Sequence, residues 1–477
     1  MNYDALMHVG LFLPLLAGIA LLIWPSLGRT FAVAAAGVTF LLAAWLFAGA
    51  QGEGTGYASQ TLLLEPIRMY YALSLDGVGL MLWLAVSFTT LLAVYIAQVP
   101  IRMLGWALAM ETGLLGIFAA DDLVLFYVFF EATLIPALLM LGLYGGRERL
   151  KAAYTFALFT LVGSLPMLAA VFAVRYLGGA PSFLYADLAA NPVSGAAATW
   201  VFLGFLVAFA VKTPLFPLHA WLPSFHAENH PSGLADAMGT LYKVGLFAFF
   251  KWAIPLAPEG FAQFQGLLLL LAAFGAIYAA WLAFAARDWK RLLAYGGVSH
   301  MGLGALGLFS GHADGVTGAL FLLAASMVYT GGLFLVVGCI AERTETLEIG
   351  PVRGIAKSAP ALSVLTMFLV MAMIGLPGLS GFPGEFMALL GAWKASPWLT
   401  FVAFTAVIAA AAYALTAYQA LFQESPNRTV ADLTPREWVF GVAVVASTLL
   451  MGLYPKMFTE LIHPVSEALA KLLGGGA

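Results

Sequence analysis

Charge is what this sequence has least of. Lysine, arginine, aspartate and glutamate make up only 9% of its 477 residues, while 62% are hydrophobic. A soluble domain carries about 25% charged residues, so this chain belongs in a membrane. Cysteine is almost as scarce. Cys339 stands alone, which excludes disulfides within the chain, an iron-sulfur cluster and a cysteine-rich zinc site. The seven histidines include no pair suited to haem, and a net charge of -3 is too small to suggest nucleic acid or a polybasic lipid anchor. No Walker sequence or nucleophile elbow is present. Gly302, Gly304 and Gly307 spell G-x-G-x-x-G, but no strand precedes them and the run is apolar, so they read as helix packing through small residues. Period-two alternation is absent, which argues against a barrel.

What is present is a succession of apolar runs, each close to the ~20 residues that a helix needs to cross a bilayer. They predict an all-α polytopic membrane protein with about fourteen spans, near 5–24, 31–50, 72–98, 101–118, 122–143, 152–177, 199–222, 233–254, 261–285, 291–309, 315–341, 360–393, 398–422 and 436–455. The first run has no lysine or arginine before it and reads as a retained span rather than a cleaved signal peptide. The last segment, Lys456 to Leu473, sets Phe458, Leu461, Ile462, Val465, Leu469 and Leu472 at helical spacing with charges between them, which predicts an amphipathic surface helix. An even span number puts both termini on one side. Thirteen of the 21 basic residues fall on the opposite side and five on the termini side, so the positive-inside rule places both termini outside. For a bacterial-type inner membrane that is the periplasmic side.

The remaining three basic residues, Lys212, Lys243 and Lys251, lie inside spans. A mid-membrane lysine costs about 2.5 to 3.5 kcal/mol on insertion scales, so its default reading is functional. Lys251 is near a helix end and can snorkel. Lys212 lies roughly 20 Å into its span, and Lys243 lies about 14 Å into the next, near the middle of a ~30 Å core. Pro214 and Pro217 follow Lys212 at once and remove backbone donors, which predicts a discontinuous seventh helix facing a wet or protein-filled interior. The alternative is a proline kink with a snorkelling lysine.

Of the acids, Glu111, Glu131 and Glu385 are expected within spans. Glu131 is the one ionisable group of its helix, and Glu385 follows a second double-proline interruption at Pro377 and Pro383. Interruptions in the seventh and twelfth spans suggest two inverted five-helix repeats. The units would be spans one to three with the start of the first repeat (1–118), the first repeat (101–254), the second repeat (261–422), and span fourteen with the amphipathic helix (436–477). His300, in YGGVSHMGLG of the tenth span, is either a proton-exchanging group, since imidazole titrates near neutrality, or a satisfied core residue. His219, His226 and His230 cluster around the broken seventh helix without a metal-ligand spacing. Glu111 could face lipid only when protonated, so a buried partner is expected, and the sequence does not name it.

Glu131, Lys212, Lys243, His300 and Glu385 thus form a broken titratable line across different spans. Protons could use it. Burial disfavours the Lys212 ammonium and a nearby Glu131 carboxylate favours it, so a change in that carboxylate would load or unload the lysine. Lysine suits this because burial readily changes its charge, whereas arginine would stay charged. With no site for ATP, flavin or a metal cluster, the chain must exchange one ion gradient for another or be driven by a partner. An intramembrane enzyme using Glu and His is a weaker reading, since no nucleophile or metal set accompanies them.

The run VKTPLFPLHAWLPSFHAENHPSG with YKVGLF after it resembles the signature of the antiporter-like membrane subunits of respiratory complex I, the proton-translocating NADH:quinone oxidoreductase. RDWKRLLAYGGVSHMG and GLPGLSGFPGEF are similar as well, and the likeness is strongest from about residue 120 to 395. A glutamate at Glu385 resembles the M-type branch of that family. It departs from the related multisubunit Na+/H+ antiporters, whose matching subunits usually carry lysine. The resemblance implies that Glu131 pairs with Lys212, that Lys243 is the central proton carrier, that His300 links the halves and that Glu385 is the terminal site. It implies that NADH, FMN, iron-sulfur clusters and quinone are bound by partner subunits, with no redox catalysis, cofactor or metal in this chain. The partners would be the other membrane subunits of the complex, sibling antiporter-like chains among them. The alternative is a subunit of a multisubunit cation/proton antiporter.

Overall fold

The computed structural model describes residues 3–53, 57–238 and 242–474. Helices α1 (Tyr3–Ile23) and α2 (Gly28–Glu53) are followed by a hairpin of β1 (Tyr57–Leu64) and β2 (Met69–Leu75), then α3 (Gly77–Ile96), α4 (Ile101–Ala119), α5 (Leu123–Ala132) and α6 (Leu134–Tyr144). Next come α7 (Arg149–Gly178), the short α8 (Tyr185–Ala190), α9 (Gly195–Lys212), α10 (Trp221–Glu228), α11 (Leu234–Ala237), α12 (Lys243–Ala248) and α13 (Ile254–Leu256). The chain ends with α14 (Pro258–Phe284), α15 (Trp289–Phe309), α16 (Ala313–Thr344), α17 (Pro360–Met373), α18 (Gly381–Ala395), α19 (Pro397–Phe422), α20 (Pro435–Leu453) and α21 (Lys456–Leu472).

Among the described residues, twelve helical stretches are long and apolar enough to cross a membrane, α5 and α6 counting as one. The expected eighth and twelfth segments are the two missing from that set: the twelfth is divided into α17 and α18, and residues 239–241 of the eighth lie outside the described residues. The helices are apolar all round rather than amphipathic, as helices facing lipid on one side and protein on the other must be. Trp200, Trp281 and Trp398 are exposed on the outer surface. α21 differs: it seats Phe458, Ile462 and Leu469 against the bundle and leaves its charges outside.

The hairpin is a departure from the expected purely helical chain. Its residues merge with the apolar run that reads as the start of the third span. In the fold, Glu65 and Pro66 turn the chain, and the strands pair antiparallel from Tyr57↔Leu75 to Leu64↔Met69. Leu62, Leu63 and Leu64 point outward while Met69, Ala72, Leu73 and Leu75 are buried. Helix α3 then starts at Gly77, where the Asp76 side chain accepts the Gly79 N–H, a capping bond that fixes the helix start.

Two helices form the buried axis. α16 is buried over its whole apolar length, and at 32 residues it is about 48 Å long, well beyond a ~30 Å core. α15, packed between α14, α16 and α18, is buried almost throughout. The broken segments gather around this pair.

Candidate functional site

Both proline-containing breaks have the same backbone bonding. In the first, Leu215 N–H reaches back five residues to Ala210 O at 2.9 Å and Leu218 N–H bonds Leu215 O at 2.6 Å. In the second, Leu376 N–H reaches Met371 O at 3.0 Å and Leu379 N–H bonds Leu376 O at 3.1 Å. The carbonyl of Val211, freed by the first break, accepts the Trp221 indole N–H at 2.9 Å, as buried backbone requires. The titratable residue, however, is on opposite sides of the two turns. Lys212 ends the helix before the first, where the negative end of the helix dipole favours a cation. Glu385 lies on the helix after the second.

Lys212 is 2% exposed. Its ammonium lies 5.0 Å from the centroid of the Phe130 ring and 5.7 Å from that of Phe156, aromatic faces that attract a cation. Glu131, next to Phe130, is within electrostatic reach of Lys212, but no ion pair within 4.0 Å joins them. Its Oε1 is buried without a hydrogen-bond partner. α5 ends one residue beyond Glu131, and Pro136, which has no N–H to offer Ala132 O, keeps α5 and α6 apart. The sequence reading had this helix continuous.

Lys243 is fully buried. Among the described residues its Nζ has no hydrogen-bond partner, and it lies 4.9 Å from the centroid of the Tyr242 ring. Gly245 presses α12 onto the broken end of α9: a Cβ there would collide with Phe209 O and Thr213 Oγ1. His300 Nδ1 stands 2.8 Å from Glu385 Oε1, each side chain about 5% exposed. The distance is that of an ion pair when the imidazole is protonated. Gly375, at φ +74°, gives Glu385 its space, since a Cβ there would overlap Oε2.

Three placements differ from the sequence reading. Lys251 does not snorkel. It sits in a π-helical turn, Phe249–Ala253, only 9% exposed, 3.5 Å from Asp121 Oδ1 and between the Tyr185 and Trp252 rings. Burial raises the Asp121 carboxyl above its usual range, against the pull of the Lys251 ammonium. Lys290, counted with the far-side loops, is fully buried beside an acid that went unnoticed: its Nζ is 2.6 Å from Asp236 Oδ2 and donates to the carbonyls of Asn229 and His230. The other Asp236 oxygen meets His226 Nδ1 at 2.8 Å and Asn229 Nδ2 at 2.9 Å. Both partners lie near the ends of expected spans, Asp236 just inside one and Lys290 just outside another, where a charge reads as solvated. Glu111 is fully buried and neither carboxylate oxygen has a hydrogen-bond partner.

His219 stacks on Phe216 and edges Tyr278, and His230 Nδ1 meets Ser232 Oγ at 2.9 Å. Among the described residues, no group of three or more His, Cys, Asp and Glu is placed to hold a metal.

Fold and site together define a class: a polytopic helical membrane protein with titratable side chains carried through its core by interrupted helices. Residues 120–409 match the family described as NADH:quinone oxidoreductase/Mrp antiporter, TM. The chain is 60% identical over 469 residues, 98% of this chain and 99% of the other, to NADH-quinone oxidoreductase subunit 13 of Thermus thermophilus. It is 36% identical over 487 residues, 96% of this chain and 95% of the other, to NADH-quinone oxidoreductase subunit M of Rhodobacter capsulatus. A chain of respiratory complex I from Thermus thermophilus with bound NADH has the same fold at a TM-score of 0.96 and 59% identity, covering 98% of this chain and 100% of that one. A chain of the Mrp complex from Dietzia sp. DQ12-45-1b shares the fold at a TM-score of 0.87 with 20% identity, covering 99% and 98%. The chain belongs to the NADH:quinone oxidoreductase/Mrp antiporter membrane family.

Proposed function

We infer that this chain is a proton-translocating membrane subunit of an NADH:quinone oxidoreductase, working beside the other membrane subunits of that complex and driven by redox chemistry in its partners. The observation that carries this is the buried row itself. Lys212 near Glu131, Lys243 without a counter-ion among the described residues, and His300 against Glu385 lie on α9, α5, α12, α15 and α18. The relatives named as NADH-quinone oxidoreductase subunits support the complex I reading over the antiporter one, since the Mrp likeness is one of fold alone.

In this reading Glu131 governs the charge of Lys212, Lys243 carries the proton between the two halves, and His300 with Glu385 forms the terminal site. The halves would be two inverted five-helix units, residues 101–254 and 261–422, between spans one to three and the fourteenth span with the surface helix. Both termini face outside. NADH, FMN, iron-sulfur clusters and quinone are held by partner subunits. Moving one proton against about 180 mV takes ~4 kcal/mol, at about 2.3 kcal/mol per 100 mV. A swing of about three pKa units in one buried group covers that, at about 1.36 kcal/mol per unit.

The test is Lys243→Ala in the assembled complex, reconstituted in vesicles. Proton translocation per NADH should be abolished while NADH oxidation by hexacyanoferrate persists. A normal proton yield would overturn the reading. Sodium-driven proton exchange in vesicles without NADH would favour the antiporter alternative.

A further inference from the structure

We propose that the hydroxyl of Tyr329 relays protons between Lys243 and the His300–Glu385 pair, a step that rests on the function proposed above. Tyr329 sits in the middle of α16, fully buried, and its Oη has no hydrogen-bond partner. Its ring stands edge-on to the His300 ring, with centroids 6.2 Å apart at 68°. Among the described residues Lys243 Nζ and His300 Nε2 are likewise buried without hydrogen-bond partners, while His300 Nδ1 faces Glu385 Oε1. The hydroxyl, amphoteric by nature, is thus buried against the imidazole, and Lys243 is buried beside Tyr242.

The backbone around them makes room for tyrosines. Gly296 and Gly297 lie one turn before His300 on α15. A Cβ at Gly297 would lie 3.1 Å from the hydroxyl of Tyr242, the residue before Lys243, and a Cβ at Gly296 would lie 2.8 Å from the Tyr413 hydroxyl. Two tyrosines thus reach α15 through adjacent glycines, and Tyr329 meets the same helix at the next turn. Tyr242 brings the Lys243 end of the route to α15, and Tyr329 covers the step to the imidazole.

The chemistry balances without placing charge on the phenol. A hydroxyl oxygen accepts on a lone pair while its own O–H donates. The Lys243 ammonium gives a proton to Tyr329 Oη as Tyr329 passes its original proton to a ring nitrogen of His300. Lysine ends neutral, imidazole ends protonated beside the Glu385 carboxylate, and the tyrosine is unchanged. Phenylalanine keeps the ring contact and lacks the relay.

Three variants of the whole complex test this: Tyr329→Phe, Tyr329→His and Lys243→Ala. Proton translocation is measured in vesicles and normalised to assembled complex by its flavin content. Tyr329→Phe should lower translocation roughly tenfold or more, the scale of a lost positioned proton-transfer group, with hexacyanoferrate reduction unchanged. Tyr329→His, which again exchanges protons, should recover much of the loss and give pumping a new pH dependence near neutrality. Normal pumping by Tyr329→Phe while Lys243→Ala is inactive would overturn the relay alone, and so would a histidine variant no better than phenylalanine. If Lys243→Ala also pumps normally, it is the proposed function that fails.

Discussion

His300 Nδ1 and Glu385 Oε1 are 2.8 Å apart in a region from which both side chains exclude nearly all solvent. A neutral carboxylic acid waits in such a place at little cost, while a carboxylate there calls for the protonated imidazole. Glu385→Gln, fixed in the protonated shape, should therefore block proton release by roughly a hundredfold while the complex still assembles. Glu385→Lys should keep more activity, because it still titrates. Translocation in vesicles decides it, and normal pumping by the glutamine variant would make Glu385 a structural carboxylate.

No hydrogen bond or close ion pair joins Glu131 to Lys212 among the described residues, so in the proposed function the presence of an acid should matter more than its reach. Glu131→Asp should keep most of the pumping and Glu131→Gln little of it. Equal activities in the two variants would refute the electrostatic role.

The Asp236–Lys290 pair has no exposure on either side. Removing one partner strands the other charge, at a cost of about 3–5 kcal/mol. Lys290→Met should lower the thermal midpoint of the complex and its yield, and Lys290→Met combined with Asp236→Asn should recover part of both. Differential scanning fluorimetry of the purified complex is the check. A double variant no more stable than Lys290→Met would show that the charges are not what holds α11 to α15.

Glycines set how closely α16 approaches α18. A Cβ at Gly318 would overlap the backbone nitrogen of Ala388, and one at Gly384 would sit 3.0 Å from Leu322 Cα. Gly318→Ala should cost about 1–3 kcal/mol by overpacking. By moving α18 outward it should also lower pumping, although no titratable group is changed. An unchanged melting curve and normal pumping would mean that the helices part without consequence for Glu385.

Sequence and structure agree where a residue is out of place for its surroundings. Lys212, Lys243 and Glu385 are legible because a charge inside an apolar run has no bland explanation, and the double prolines mark the breaks beside two of them. Asp236 and Lys290 were illegible for the opposite reason: near a span end, a charge is ordinary. Tyr329 and Tyr413 gave no signal, because tyrosine in an apolar helix is unremarkable until its hydroxyl proves buried and unpartnered. The hairpin escaped because Leu62–Leu64 and Met69–Leu75 are as apolar as the span they precede.

The π turn at Phe249–Ala253 has a further consequence, a mechanical one. Ile254 N–H bonds Phe249 O, five residues back, so this turn takes in one residue more than an α-turn. Side chains advance about 100° per residue, and the helix beyond the turn is therefore out of phase with the helix before it, like the two throws of a crank. Lys251, within the turn itself, meets Asp121, while Lys243 stays buried in the helix before it. The stretch is thus constrained in length more than in chemistry: deleting one residue would straighten it and swing Lys251 about a quarter turn away from Asp121, a displacement that no single substitution there can produce.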